Sequence, residues 1–214
     1  MKDNTLMVDL SSKVKQNRWL FHDRYNSISD YFRETNITKW WKPEQEQKQQ
    51  EKLKGITEWI KELKPETVLE IGPGTGRFTK ELISISPHVT GIELNEHQFK
   101  KLIHLYPKVN FIAGDVTTIA LKGSFDLIMC IDVLVHISDI PGLFFKFKSW
   151  GKSLICDITP VEWYKNYNKR GTVHRGIDSK EFENMISDFG TVQKQKDFID
   201  ENGIVQYKVY QIIF

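Results

Sequence analysis

From residue 66 onward, short apolar runs alternate with longer segments in which apolar residues recur every three to four positions. Short apolar runs bounded by turn residues predict buried strands, and the longer spacing predicts amphipathic helices. This order of elements predicts an α/β fold whose sheet is mostly parallel and covered by helices on both faces. The predicted strands are 67–72, 89–94, 109–115, 125–131 and 153–158, and the predicted helices between them are 77–85 and 95–106, the second with Asn95 as its N-cap.

The pattern changes after residue 177. Asp178 and Glu181 are spaced as a capping box for a helix over 179–188. Two strands are predicted to follow, at 191–199 and 204–214, and the sequence DENG between them is typical of a hairpin turn. The sheet is therefore predicted to have seven strands and to end in an antiparallel pair.

The first 64 residues differ from the rest and are predicted to form an N-terminal helical extension of the domain at 65–214, within one globular unit. Pro43 and Pro65 bracket a segment with an apolar stripe that predicts a helix packed on the sheet. Before it, residues 19–41 contain seven aromatic residues: Trp19, Phe21, Tyr25, Tyr31, Phe32, Trp40 and Trp41.

Composition narrows the class of protein. The chain has 214 residues, 40% of them apolar, with a net charge of +2, which argues against a dedicated nucleic-acid surface. No apolar run is long enough for a membrane span or for the core of a signal peptide. Cys130 and Cys156 lie in apolar runs, which predicts reduced core thiols, a cytoplasmic location and no metal site.

The sequence LEIGPGTGRF at 69–78 places Gly72, Gly74 and Gly76 where a strand gives way to a helix, with Glu70 two residues before the first glycine. Ligands bind α/β sheets at such places, and glycines let the backbone approach them closely. A phosphate-binding loop requires a Lys-Ser/Thr pair that is missing here, and a dinucleotide fingerprint requires the third glycine one residue later. The remaining pattern is acid-x-G-x-G-x-G.

That pattern resembles the first motif of the class I S-adenosylmethionine-dependent methyltransferases. Three further segments of that family have counterparts in order, namely Glu93 at the end of the second strand, Asp115 at the end of the third, and FDLIMCIDVLVHI at the fourth. The resemblance covers residues 66–158 by motif and continues to 214 by strand order. It implies a Rossmann-like, doubly wound sheet and an enzyme of the small-molecule type that uses S-adenosylmethionine.

The resemblance also implies roles for individual residues. The glycines flank the methionine part of the cofactor, Glu70 holds its ammonium group, Glu93 binds the ribose, and Asp115 accepts from the adenine amino group. Each acid has a structural alternative: a helix-end contact or an ion pair with Arg77 for Glu70, an exposed strand end for Glu93, and a helix N-cap for Asp115. The complete predicted cofactor set is Glu70, Gly72, Pro73, Gly74, Gly76, Glu93, Leu94, Asp115, Val116 and Cys130.

Catalysis and acceptor binding leave more alternatives open. His136 stands in an L-x-H context, in which the family's histidine either deprotonates an acceptor hydroxyl or braces a loop. Asp132 is predicted to lie either at the methionine end or at the acceptor site. The aromatic segment 19–41 is predicted to close over the acceptor as a lid, and the loop after the fifth strand faces the same site. The acceptor-binding candidates are Tyr25, Trp41 and His174.

The expected acceptor is an oxygen or nitrogen atom of a small molecule, with no membrane partner. The first motif also resembles that of the ribosomal RNA adenine dimethyltransferases. However, CIDVLVH stands where that family has Asn-x-Pro-aromatic, which disfavours a nucleic-acid substrate. Protein methylation and a non-catalytic module of the same fold remain alternatives, and the sequence carries no signal of oligomeric state.

Overall fold

The computed structural model of the protein describes residues 46–163 and 176–214. Its helices and strands alternate along the chain, as the apolar pattern predicts. The helices are α1 (Glu46–Leu63), α2 (Thr79–Ile85), α3 (Glu96–Leu105), α4 (Ile140–Trp150) and α5 (Ser179–Ser187). The strands are β1 (Thr67–Ile71), β2 (His88–Glu93), β3 (Asn110–Ala113), β4 (Leu127–Cys130), β5 (Ser153–Ile158), β6 (Thr191–Ile199) and β7 (Val205–Ile213).

One seven-stranded sheet runs in the order β3-β2-β1-β4-β5-β7-β6. The first five strands are parallel to one another, and β7 lies antiparallel between β5 and β6. The predicted α/β fold with an antiparallel C-terminal hairpin is therefore confirmed. Strand order reverses between β1 and β4, and ligands bind α/β sheets beyond the carboxyl ends of the strands at such a switch point.

Apolar residues fill both faces of the sheet. On one face, α1 and α2 pack through Ile56, Ile60 and Leu82. On the other face, α4 and α5 pack through a cluster that includes Phe144 and Phe182, whose rings meet edge to face. The sequence analysis did not predict α4, although its buried residues Ile140, Leu143, Phe144, Phe147 and Trp150 recur at helical spacing. The helix begins with Pro141 and Gly142, which are typical of a turn.

The caps of two helices follow the sequence signals. The Asn95 side chain accepts a hydrogen bond from the Gln98 backbone at the start of α3, and Asp178 accepts from the Glu181 backbone at the start of α5. These bonds satisfy backbone N–H groups that have no partner within the helix. They also fix the residues at which α3 begins after β2 and at which α5 begins before β6.

The predicted N-terminal lid falls mainly outside the described residues. Of the 1–64 segment the structure describes α1 and the turn after it, and the candidates Tyr25, Trp41 and His174 are not among the described residues. The apolar stripe of α1 is confirmed at Ile56 and Ile60, which are almost fully buried. Within residues 46–163 and 176–214, no helix combines the length and apolarity needed to cross a membrane.

Candidate functional site

A cavity of about 250 Å³ opens at the carboxyl edge of the sheet, beside the switch point. Its walls come from the loop after β1, the end of β2, and the loops after β3 and β4. Predicted residues from four separate segments thus meet around one space. Those that line it are Glu70, Gly72, Pro73, Gly74, Glu93, Leu94, Asp115, Val116, Asp132 and His136.

The first two glycines of the motif keep the backbone of the cavity open. Gly74 has a φ of +58°, and a Cβ placed there meets no protein atom nearer than the Gly72 carbonyl oxygen at 3.9 Å. At Gly72, with a φ of +66°, a Cβ would come within 2.7 Å of the Val133 side chain. Side chains at either position would strain the backbone, and at Gly72 would also push the loop after β4 away.

Gly76 and Cys130 were predicted to contact the cofactor, but the structure places neither in the cavity wall. A Cβ at Gly76 would lie 2.6 Å from the Tyr106 ring, so the missing side chain makes room for a packing contact with the end of α3. Cys130 is fully buried inside the sheet, beside Cys156 of β5. Both residues therefore have structural surroundings, a packed ring at Gly76 and the interior of the sheet at Cys130.

Glu93 connects two segments of the cavity wall. Its carboxylate accepts a hydrogen bond from the Gly74 backbone at 2.8 Å and another from the Asn95 backbone at 2.7 Å. The residue is only 5% exposed, so the alternative of an exposed strand-end acid is wrong. Burial raises the pKa of Glu93, while the backbone donors act in the opposite direction.

Glu70 is buried beneath the glycine loop, with 2% exposure. Its carboxyl accepts a hydrogen bond from the Thr79 hydroxyl at 2.6 Å. Burial raises its pKa to about 8, and the negative charge of Glu93 adds to the rise. The Arg77 guanidinium pairs with Asp132 at 2.8 Å, and its positive charge lowers the pKa of Glu70.

Glu70→Gln is expected to be more stable than the wild type without ligand, and the difference in the free energy of unfolding is expected to grow to about 4 kcal/mol as the pH rises from about 4.5 to 8. A carboxyl whose folded-state pKa is raised binds its proton more tightly in the folded state, so the wild type loses stability across this window. Thermal unfolding of both proteins between pH 5 and 8.5 measures the difference. Glu58→Gln, on the exposed face of α1, is the matched control. A Glu70→Gln advantage that does not change with pH would contradict the raised pKa.

Asp115 and its neighbours form the far wall of the cavity. One carboxylate oxygen of Asp115 accepts from both the backbone and the hydroxyl of Thr117, at 2.8 and 2.6 Å. The residue therefore caps the turn that follows β3, whereas the structural alternative predicted that it caps a helix. Ile92, Leu94 and Val116 add an apolar surface beside it, which suits a flat aromatic ring.

Asp132 has a left-handed backbone, with a φ of +61°. One carboxylate oxygen accepts from the Lys52 ammonium at 2.6 Å and the other from Arg77 at 2.8 Å. Burial alone would raise the pKa of Asp132, but the two cations hold it below its ordinary value. Sequence analysis missed Lys52, although its spacing of four from Ile56 and of eight from Ile60 places it on the buried face of α1.

His136 ends a single 3-10 turn, Leu134–His136, which follows the loop after β4. Its backbone N–H donates to the Val133 carbonyl oxygen at 2.9 Å. The side chain is half-buried and lines the cavity on the same loop as Asp132. The turn therefore brings an imidazole and a carboxylate to the same side of the cavity.

Comparison with known proteins points to one family. A methyltransferase domain family matches residues 68–152. Phosphoethanolamine N-methyltransferase 1 of Arabidopsis thaliana is 32% identical over 156 residues, which are 64% of this chain and 30% of that protein. A ubiquinone biosynthesis O-methyltransferase of Paraburkholderia xenovorans is 30% identical over 110 residues, which are 46% of this chain and 47% of that protein.

A solved structure shares the fold along almost the whole chain. The magnesium protoporphyrin IX methyltransferase of Synechocystis PCC 6803, with bound SAH, superposes with a TM-score of 0.66 over 95% of this chain and 94% of its own. At a sequence identity of 15%, this comparison supports a shared fold and nothing more. The chain spans less than half the length of both curated relatives.

Proposed function

We propose that the chain, a member of the class I S-adenosylmethionine-dependent methyltransferases, binds S-adenosylmethionine and transfers its methyl group to an oxygen or nitrogen atom of a small molecule. The observation that carries the proposal is the buried Glu93 carboxylate, which meets the glycine loop at the switch point of the sheet. A carboxylate in this position is suited to accept hydrogen bonds from ribose hydroxyls.

The residues around the cavity fit the cofactor part by part. Gly72 and Gly74 leave room for the methionine chain, and Glu70 offers a carboxyl at that end. Glu93 suits the ribose. Leu94 and Val116 suit the two sides of the adenine ring, and Asp115 lies at its edge. Polar groups for the methionine end and the ribose, followed by an apolar slot for the adenine ring, match the order of groups in S-adenosylmethionine.

The sulfonium of the bound cofactor supplies an activated methyl group. The chain must therefore hold an acceptor atom in line with the methyl group and keep water out. The walls formed by Ile71, Ile131 and Val133 make that end of the cavity partly apolar. An amine acceptor needs only to be uncharged, whereas a hydroxyl acceptor gains from a base. We propose that His136 accepts the proton of such a hydroxyl group. Asp132 lies on the same side of the cavity.

The acceptor class rests on the relatives and on the lack of RNA-binding features. Two curated relatives are named as an N-methyltransferase of phosphoethanolamine and an O-methyltransferase of ubiquinone biosynthesis. A third, named as a ribosomal RNA small subunit methyltransferase, is 39% identical over only 27% of this chain. The loop after β4 reads CIDVLVH and lacks the Asn-x-Pro-aromatic motif of RNA adenine methylation. A small-molecule acceptor is therefore proposed, with a cytoplasmic location as the sequence predicts.

The protein is expected to bind S-adenosylmethionine and S-adenosylhomocysteine and not NAD. Titration calorimetry with each compound measures binding directly. Incubation with S-adenosylmethionine and panels of amines, phenols and carboxylic acids then tests for S-adenosylhomocysteine formation. Binding of NAD without either sulfur compound would contradict the proposal. Binding without product in any panel would favour the non-catalytic alternative.

A further inference from the structure

Lys52 is a lysine in an environment where lysines are rare. Its side chain has no exposed surface, and a buried charge is tolerated only when it is paired and hydrogen-bonded. The ammonium donates to Asp132 at 2.6 Å and to Asp157 at 2.5 Å, and it lies 3.9 Å from the centre of the Tyr207 ring. These contacts join α1 to the loop after β4 and to strands β5 and β7.

Asp157 also contacts Asp132 directly, at the backbone. Its second carboxylate oxygen accepts from the Asp132 backbone N–H at 2.7 Å. Asp132 is therefore held at its backbone by Asp157 and at its side chain by Lys52, while its φ of +61° is one that non-glycine residues rarely adopt. A strained backbone persists where surrounding contacts determine it, and here those contacts meet at the Lys52 ammonium.

A second chain of contacts from α1 reaches the same wall. Gln49, one turn before Lys52, accepts from Arg77 at 2.7 Å and donates to the Tyr207 hydroxyl at 3.0 Å. Arg77 in turn donates to Asp132. Arg77 and Asp132 line the cavity, whereas Lys52 and Asp157 stand behind them. Contacts from α1 therefore hold the cavity wall beside His136 in place.

We infer that Lys52 is a positioning residue, which fixes the Asp132 turn and so shapes the wall of the cavity for the nucleoside cofactor. The inference rests on the proposed function for the identity of that ligand, but its effect on the turn does not depend on the ligand. A merely structural lysine would attach α1 to the sheet without changing the cavity.

The test uses a charge-balanced pair of changes, because Lys52→Met alone leaves two buried carboxylates uncompensated and risks misfolding. Lys52→Met combined with Asp157→Asn removes one charge of each sign. Lys48→Met, one turn earlier on α1 and in an ion pair with the exposed Glu201, is the matched control. Lys52→Arg keeps the charge and tests rescue.

Amide hydrogen exchange of residues 131–137 without ligand is the first measurement. Exchange about tenfold faster in the double variant, with the other strand amides unchanged, is expected from a released turn. Calorimetry with S-adenosylhomocysteine is the second, and binding about tenfold weaker is expected, the scale of one hydrogen bond to a charged group. Lys48→Met should match the wild type in both, and Lys52→Arg should recover part of each loss.

The outcomes separate the two proposals. Unchanged exchange at 131–137 in the folded double variant would overturn the inference, and so would faster exchange with unchanged affinity. If exchange is faster but the wild type itself fails to bind S-adenosylhomocysteine, the proposed function fails. The role of Lys52 in fixing the Asp132 turn would then stand alone.

Discussion

Replacing Glu93 by alanine is expected to weaken binding of S-adenosylhomocysteine by about 1–3 kcal/mol and to destabilise the ligand-free fold by a similar amount. The loss of binding follows from hydrogen bonds to the ribose that a methyl group does not make. The loss of stability follows from the Gly74 and Asn95 backbone N–H groups, which both donate to this carboxylate. A partly buried N–H left without an acceptor keeps its full desolvation cost.

Calorimetry and thermal unfolding measure the two effects separately. Glu93→Gln retains one side-chain oxygen and is expected to recover part of the stability. Glu96→Ala, three residues later and exposed at the start of α3, is the matched control and should leave affinity unchanged. Loss of stability with unaltered affinity would assign Glu93 to the fold alone and would contradict its proposed contact with the ribose.

Replacing His136 by alanine is expected to lower turnover with an oxygen acceptor by about 10²–10⁴-fold, the usual contribution of a general base. Affinity for S-adenosylhomocysteine should stay within a few-fold of the wild type, because the proposed role concerns the acceptor proton. The side chain lines the cavity, and the Leu134–His136 turn keeps its backbone bond to Val133 after truncation. The fold is therefore expected to survive the change.

The measurement is S-adenosylhomocysteine formation with the acceptor that the panels identify, across a range of pH. His97→Ala removes an exposed histidine of α3 and serves as the control. Unchanged turnover at every pH in His136→Ala would show that the residue only supports the conformation of its turn. A nitrogen acceptor with unchanged turnover would fit transfer without a base, and the proposed base role would then be wrong.

The apolar pattern by itself determined the parallel core of the fold. Runs such as residues 67–72 and 125–131 are apolar and too short for a typical helix. Their length indicates strands without any tertiary information. The chemistry of Asn95 and Asp178 marked two helix starts, because capping is a local interaction. The helix α4 was not predicted although its apolar residues recur at helical spacing, because the Pro141-Gly142 pair at its start is also typical of a turn.

The candidate cavity was predictable where the signal lies at the ends of strands. Glycines and acids at those ends meet at one edge of a parallel sheet whatever the details of packing. Gly72, Gly74 and Glu93 therefore lie where the sequence predicts. Gly76 does not, because the neighbour that excludes its side chain is Tyr106, 30 residues away. Whether a glycine faces a ligand or a packed ring depends on a contact that spacing does not record.

Only the tertiary structure decided which charges meet. Lys52 and Asp132 are 80 residues apart, and Lys52 and Asp157 are 105 apart. The sequence shows each as one of many charged residues on a nearly neutral chain. Folding places the Lys52 ammonium and the Asp157 carboxylate in the interior, beside the partly exposed Asp132. Their pairing offsets the cost of burial and holds a strained backbone at the edge of the cavity. The sequence determined where the strands end, and the packing of α1 decided how the wall beside them is fixed.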